Sequence, residues 1–376
     1  MTTPRRLLAA TIIAMLLLAI FLGVRENLSD SDGTASTPIA ADVRPAEVLA
    51  APKGEFSPEE WLAALNDACS TETAELADKE WTQEEVQEQI AKISTLKQNL
   101  SVSASAEHLH LAALLEDDPS LRVDLLGQAT LRSPHDPFLI WATVQTCSVS
   151  LISRDCPLQD WEQRLIAVDG QNSESWIRVA ANRYAADELD TALEALRHAS
   201  TAAESRAYWT EMIEMIERGF AAGSDYTFPE RVSIAFGIAA SEQPRYGDYV
   251  SMCKEQSAQS VDWAHACLAY GELVENQGKT EMGVAIARSI QIIALNALGE
   301  LENAAAVEQQ LQARRQESLA SVADYNPQIE RLMFSNPALF STYLATIKSD
   351  GEEAAKRRMT VEIERLIEQR SLPACE

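Results

Sequence analysis

Runs of alternating β-branched and aromatic residues are almost absent from this 376-residue chain, which argues against a sheet-built fold. Glycine and proline are sparse as well, at 14 each. Ala, Leu, Glu and Gln dominate in their place, and all are strong helix formers. The expected fold class is all-α. Positive charge is the next shortage: 31 Lys and Arg stand against 57 Asp and Glu, a formal net charge of -26. Such a surface repels phosphate backbones and anionic lipid, and no basic stripe is long enough to offset it. No nucleic-acid partner is expected.

Catalytic patterns are missing too. The five histidines are His108, His110, His135, His198 and His265, and none sits in H-E-x-x-H. There is no glycine-rich phosphate loop, no G-x-S-x-G elbow, no calcium-loop pattern and no C-x-x-C. His108 and His110 are two apart on an expected helix and point about 200° apart, a poor shared site. Glu107-x-x-His110 matches half of a carboxylate-bridged di-iron centre, and Asp262-x-x-His265 has the same spacing with a shorter acid. Such a centre needs two true copies and two more glutamates. Accidental carboxylate pairs are abundant in so acidic a chain, but no stretch is distinct enough to be a separate glycoside-cleaving domain. The chain reads as a non-enzyme with no cofactor and no metal.

What is present begins with Leu7 to Val24, a run of 18 uncharged residues. At about 1.5 Å per residue it matches a bilayer's hydrocarbon thickness. Arg5 and Arg6 precede it, so residues 1–6 stay cytoplasmic and residues 25 onward are exported. The alternative is a cleaved signal peptide. Phe21-Leu22-Gly23 puts a bulky ring where cleavage needs a small residue, which favours an uncleaved anchor in the inner membrane. Under either reading the body is periplasmic or otherwise extracytoplasmic. Residues 25–56, rich in Asp, Ser, Thr, Ala and Pro, form a flexible linker.

Ordered structure is expected from Ser57-Pro58-Glu59-Glu60-Trp61, where a capping serine, a first-turn proline and two acids open a helix. The same device recurs at Asp118-Pro119, Asp136-Pro137, Cys156-Pro157, Asn326-Pro327 and Asn336-Pro337. Helix follows helix, with short turns between. Self-comparison then gives a period: Trp141 and Trp176 are 35 apart, and Trp209 lies 33 further on. Val179, Ala180, Ala192, Leu196 and Ala199 follow Trp176 at helical offsets. A second unit comprises Tyr270-Gly271, Val274, Gly278, Gly283 and Ala287.

This layout resembles the tetratricopeptide repeat, a helix-turn-helix of about 34 residues. Arg183 replaces the usual aromatic in the first unit, and Gly283 the usual alanine in the second. The resemblance implies a right-handed α–α superhelix, a solenoid in which each hairpin buries its apolar face on the next. Residues 57–300 are expected to hold these repeats. Residues 301–376, with amphipathic helices over Leu301–Leu319, Pro337–Ile347 and Gly351–Gln369, are expected to cap them. Within the last, Lys356-Arg357-Arg358 could touch anionic lipid, although a solvated face is the simpler reading.

Six cysteines in an exported body point to disulfides. Cys147 and Cys156 flank a turn within one hairpin, and Cys253 and Cys267 flank the polar segment Lys254–Ser260, so each is read as a local pair. Cys69 and Cys375 remain, at opposite ends of the body; they pair only if the array curls, and are otherwise free or bonded to another chain. The expected function is a cell-envelope scaffold that binds a protein or peptide partner. An envelope hydrolase with an unrecognised carboxylate site and a purely structural spacer are the alternatives.

Overall fold

A computed structural model describes residues 82–148, 156–323 and 332–368, without the side chains of 317–323 and 367–368; all fall in one compact unit, Ala64–Glu376. The expected anchor at 7–24, the linker at 25–56, the helix start at Ser57, the Asn326-Pro327 cap, Cys69 and Cys375 lie outside the described residues.

The described residues are helical almost throughout. The elements run α1 (Gln83–Ser101), α2 (Ala106–Leu114), α3 (Pro119–Arg132), α4 (Pro137–Cys147), α5 (Leu158–Asp169), α6 (Ser173–Ala185), α7 (Leu189–Ser200) and α8 (Trp209–Gly223). They continue with α9 (Phe228–Ser241), α10 (Tyr246–Ser257), α11 (Val261–Gln277), α12 (Glu281–Leu298), α13 (Leu301–Ala323), α14 (Pro337–Asp350) and α15 (Glu352–Glu368). Local chemistry sets the starts. Asp118 and Asp136 each accept two first-turn amides ahead of Pro119 and Pro137, and Asn336 does the same ahead of Pro337. Thr82 with Glu85 and Thr227 with Glu230 form reciprocal capping boxes for α1 and α9. At the far end of α12, Gly299 takes φ 78°, the left-handed stop that favours glycine.

The apolar faces form two cores, and the chain alternates between them. The first gathers α1–α5, α8, α9, α14 and α15, through Leu109, Leu126, Ile140, Trp141, Ile213, Phe220 and Phe340. The second gathers α6, α7 and α10–α12, through Ile177, Leu196, Tyr249, Cys253, Cys267 and Ile290. Both repeat units picked out by sequence are helical hairpins. Ala180, Ala192, Leu196 and Ala199 bury the α6–α7 interface. In α11–α12, a Cβ on Gly271 would meet Gln291 Cγ at 2.7 Å and the Ala287 carbonyl at 2.8 Å, so glycine is what permits the close approach.

The stacking differs from a regular repeat array, in which each hairpin packs on the next. The α6–α7 hairpin packs on α10 and α11, whereas α8 returns to α1, α2 and α14. The connection 201–208 supplies the physical reason. Ser173 donates its amide to Glu204 O at 2.8 Å, Asn172 exchanges hydrogen bonds with the Arg206 backbone, and Ala203 and Glu204 both donate to Gln171 O. Chain leaving α7 is thereby laid back along the α5–α6 turn, and α8 starts in the first core. Trp141 is accordingly buried in the first core, Trp176 borders the second and Trp209 borders the first. Equal spacing does not place the three tryptophans in equivalent positions.

Helix α12 is long and apolar enough to cross a membrane by length and composition alone, but it packs on α10, α11 and α13 and carries Arg288 and Gln291 bonded to Glu275. It is a core helix. Both local disulfides are formed: Cys147–Cys156 joins the end of α4 to the approach to α5, and Cys253–Cys267 joins α10 to α11, with Cα separations of 5.7 and 5.9 Å.

Candidate functional site

Residues Glu174, Arg178 and Ala181 recur at helical spacing on one face of α6, and all three are buried. Arg178 donates to Gln145 Oε1 of α4 at 3.3 Å, and its guanidinium lies 5.2 Å from the ring centre of Tyr249 on α10. Gln145 in turn donates to the Glu242 carbonyl at 2.5 Å, and Arg122 of α3 reaches the Glu242 carboxylate at 2.5 Å. On the other side, Tyr270 of α11 donates to Glu174 Oε1 at 3.4 Å, and Tyr246 packs edge-on against Tyr249 with ring centres 5.9 Å apart. A buried polar seam thus runs from the first core into the second. Glu174 Oε2, Arg178 Nε, the Tyr249 hydroxyl and Ser173 Oγ have no hydrogen-bond partner.

Burial dominates the electrostatics of the seam. It pushes the Glu174 carboxyl up to about 7, against a smaller downward pull from Arg178 and Tyr270. It also raises the Tyr246, Tyr249 and Tyr270 hydroxyls well above their ordinary range. Beside Tyr246 lies a cavity of about 10 Å³, bordered by Trp209, Met212, Glu242, Pro244 and Thr280. That volume holds at most one water.

Two further buried acids have structural partners. Asp169 accepts from Asn172 and Ser175 and faces Arg206 at 3.5 Å, which fixes the 201–208 connection. Glu162 accepts from Asn182 at 2.9 Å and pairs with Arg183; burial still raises its carboxyl. Arg183, which interrupts the repeat pattern, therefore sits where a buried acid needs a cation. The Glu162 and Glu174 carboxyls are both raised by burial, and they share no hydrogen-bond partner.

The histidine motifs separate in space. Glu107 is exposed and pairs with Arg218, whereas His110 is fully buried against Phe138, with ring centres 4.9 Å apart. The two residues of that motif thus share no site. His108 bonds Ser103, and Asp262 pairs with Arg197 while His265 is exposed. Among the described residues no cluster of His, Cys, Asp or Glu is arranged to hold a metal. Lys356 pairs with Glu281 and Glu352, and Arg357 with Glu353, so most of that basic triplet is neutralised internally. A groove of about 360 Å³ runs along α14 and α15, past Asn336, Thr342, Arg358 and Glu362.

Sequence reading missed the seam. Its one signal was Glu174 and Arg178, one turn apart on the same face as Ala181 within a small, apolar stretch. No family model matches the chain, and no curated protein matches it either.

Proposed function

We propose that this chain is a non-enzymatic binding or scaffolding protein of the cell envelope, held at the inner membrane by residues 7–24, with its helical body outside the cytoplasm. The observation that carries the reading is the pair of buried disulfides, Cys147–Cys156 and Cys253–Cys267, within an all-helical body. Such bonds form and persist in oxidising compartments. In this reading α6–α7 and α11–α12 are degenerate tetratricopeptide-like hairpins of a right-handed α–α superhelix, folded back where α8 and α14 rejoin the first core. The chain carries a formal net charge of -26, which favours a basic segment of the protein or peptide partner.

The hydrolase alternative needs a cleft with two close, buried carboxylates, and the cavity beside Tyr246 is bordered by one carboxylate side chain, Glu242. A pure spacer would engage nothing. In-cell cross-linking of the tagged chain at native level, followed by mass identification, separates these readings. A reproducible envelope protein joined to helices between Asp136 and Gly299 supports the scaffold. Recovery of lipid-proximal background alone removes it.

A further inference from the structure

Glu174 lies where the second core meets the seam, and its surroundings suit a neutral carboxyl better than a carboxylate. Oε1 has one long hydrogen bond, from Tyr270, and Oε2 has none. Arg178 stands one helical turn away but makes no ion pair with it; the guanidinium serves Gln145 and the Tyr249 ring instead. A buried carboxylate left with a single long hydrogen bond is costly, because that one bond replaces little of its lost hydration.

We propose that the seam is a proton-operated latch between α6 and its neighbours α10 and α11. With Glu174 protonated, the three helices close on one another. Loss of that proton to solvent leaves a buried anion, which draws water into the seam and loosens the contact. The four unpartnered polar atoms, on Ser173, Glu174, Arg178 and Tyr249, give entering water its hydrogen-bond partners. Gln145 and the Glu242 carbonyl carry the change to α4 and to the end of α9 in the first core.

The groups facing Glu174 are few. Its own helix supplies Arg178, α10 supplies Tyr246 and Tyr249, and α11 supplies Tyr270, whose hydroxyls stay neutral across the physiological range. Elsewhere around α6, Asp169 and Glu162 of α5 are tied to Arg206 and Arg183. On α7, Arg197 pairs with Asp262 and His198 stacks on Trp176. Burial holds the Glu174 carboxyl at about 7.

Hydrogen exchange on the full-length protein at about pH 5.5 and about pH 8.5, corrected for intrinsic rates, tests the latch. Protection of α6 and α10 amides should fall roughly tenfold or more at the higher pH, while α2 and α3 stay unchanged. Glu174→Gln should abolish the difference. Tyr270→Phe, which removes the carboxyl's single hydrogen bond, should move the midpoint to higher pH. Equal protection at both pH values overturns the proposal, as does an unchanged pH dependence in Glu174→Gln. If that variant fails to fold, an unmoved midpoint in Tyr270→Phe overturns it equally.

Discussion

His110 shows how far one side chain can depart from its ordinary chemistry. Neither ring nitrogen has a hydrogen-bond partner, and burial, aided by nearby Arg122, pushes the imidazole down to about 3. The unfolded chain takes up that proton near pH 6.5, so stability is lost as pH falls from there toward 3. At pH 5 the penalty is ~2 kcal/mol. His110→Leu should therefore raise the denaturation midpoint more at pH 5 than at pH 8; an equal effect at both would show that the ring is protonated in the fold. Glu174 acts in the opposite sense. Its folded value of about 7 exceeds the ordinary 4.5, so its contribution is complete below 4.5 and is lost as pH rises through 7. Thermal midpoints should pass through a maximum between these limits. Neither group was legible as buried, because residue type alone assigns His, Glu and Arg to the surface.

Helix starts were the most legible elements, since an Asx–Pro pair carries its own physical reason. Asp118, Asp136 and Asn336 all cap as read, and Leu301 and Pro337 open their helices where the apolar pattern begins. Asp136→Ala should destabilise by ~1 kcal/mol in chemical denaturation, through two lost amide acceptances. Glycine positions give a paired test within helices. Gly271→Ala forces a methyl against Gln291 and the Ala287 carbonyl and should cost roughly 1–3 kcal/mol. Gly127→Ala in α3 meets nothing within 4 Å and should stabilise by up to ~1 kcal/mol. If both glycines responded alike, the close approach of α11 and α12 would be wrong.

For the whole molecule, the all-α class and the two local disulfides followed from composition and spacing, while the packing order did not. A repeat period records how often hairpins recur but not which hairpin each one meets. That choice depends on the 201–208 connection and on Asn172, whose hydrogen bonds to Arg206 span 34 residues of sequence. Removing the Cys253–Cys267 bond as a double alanine variant should lower stability by ~3 kcal/mol, because it frees a 14-residue separation that the bond closes. The disulfides also underlie the claim on which the proposed function depends, that the body lies outside the cytoplasm. The most direct measurement is alkylation of the cysteines in intact, freshly quenched cells, before and after reduction, with peptide mapping. The account predicts that Cys147, Cys156, Cys253 and Cys267 are blocked until a reductant is added. Alkylation of these four without reduction would place the body in a reducing compartment and contradict it.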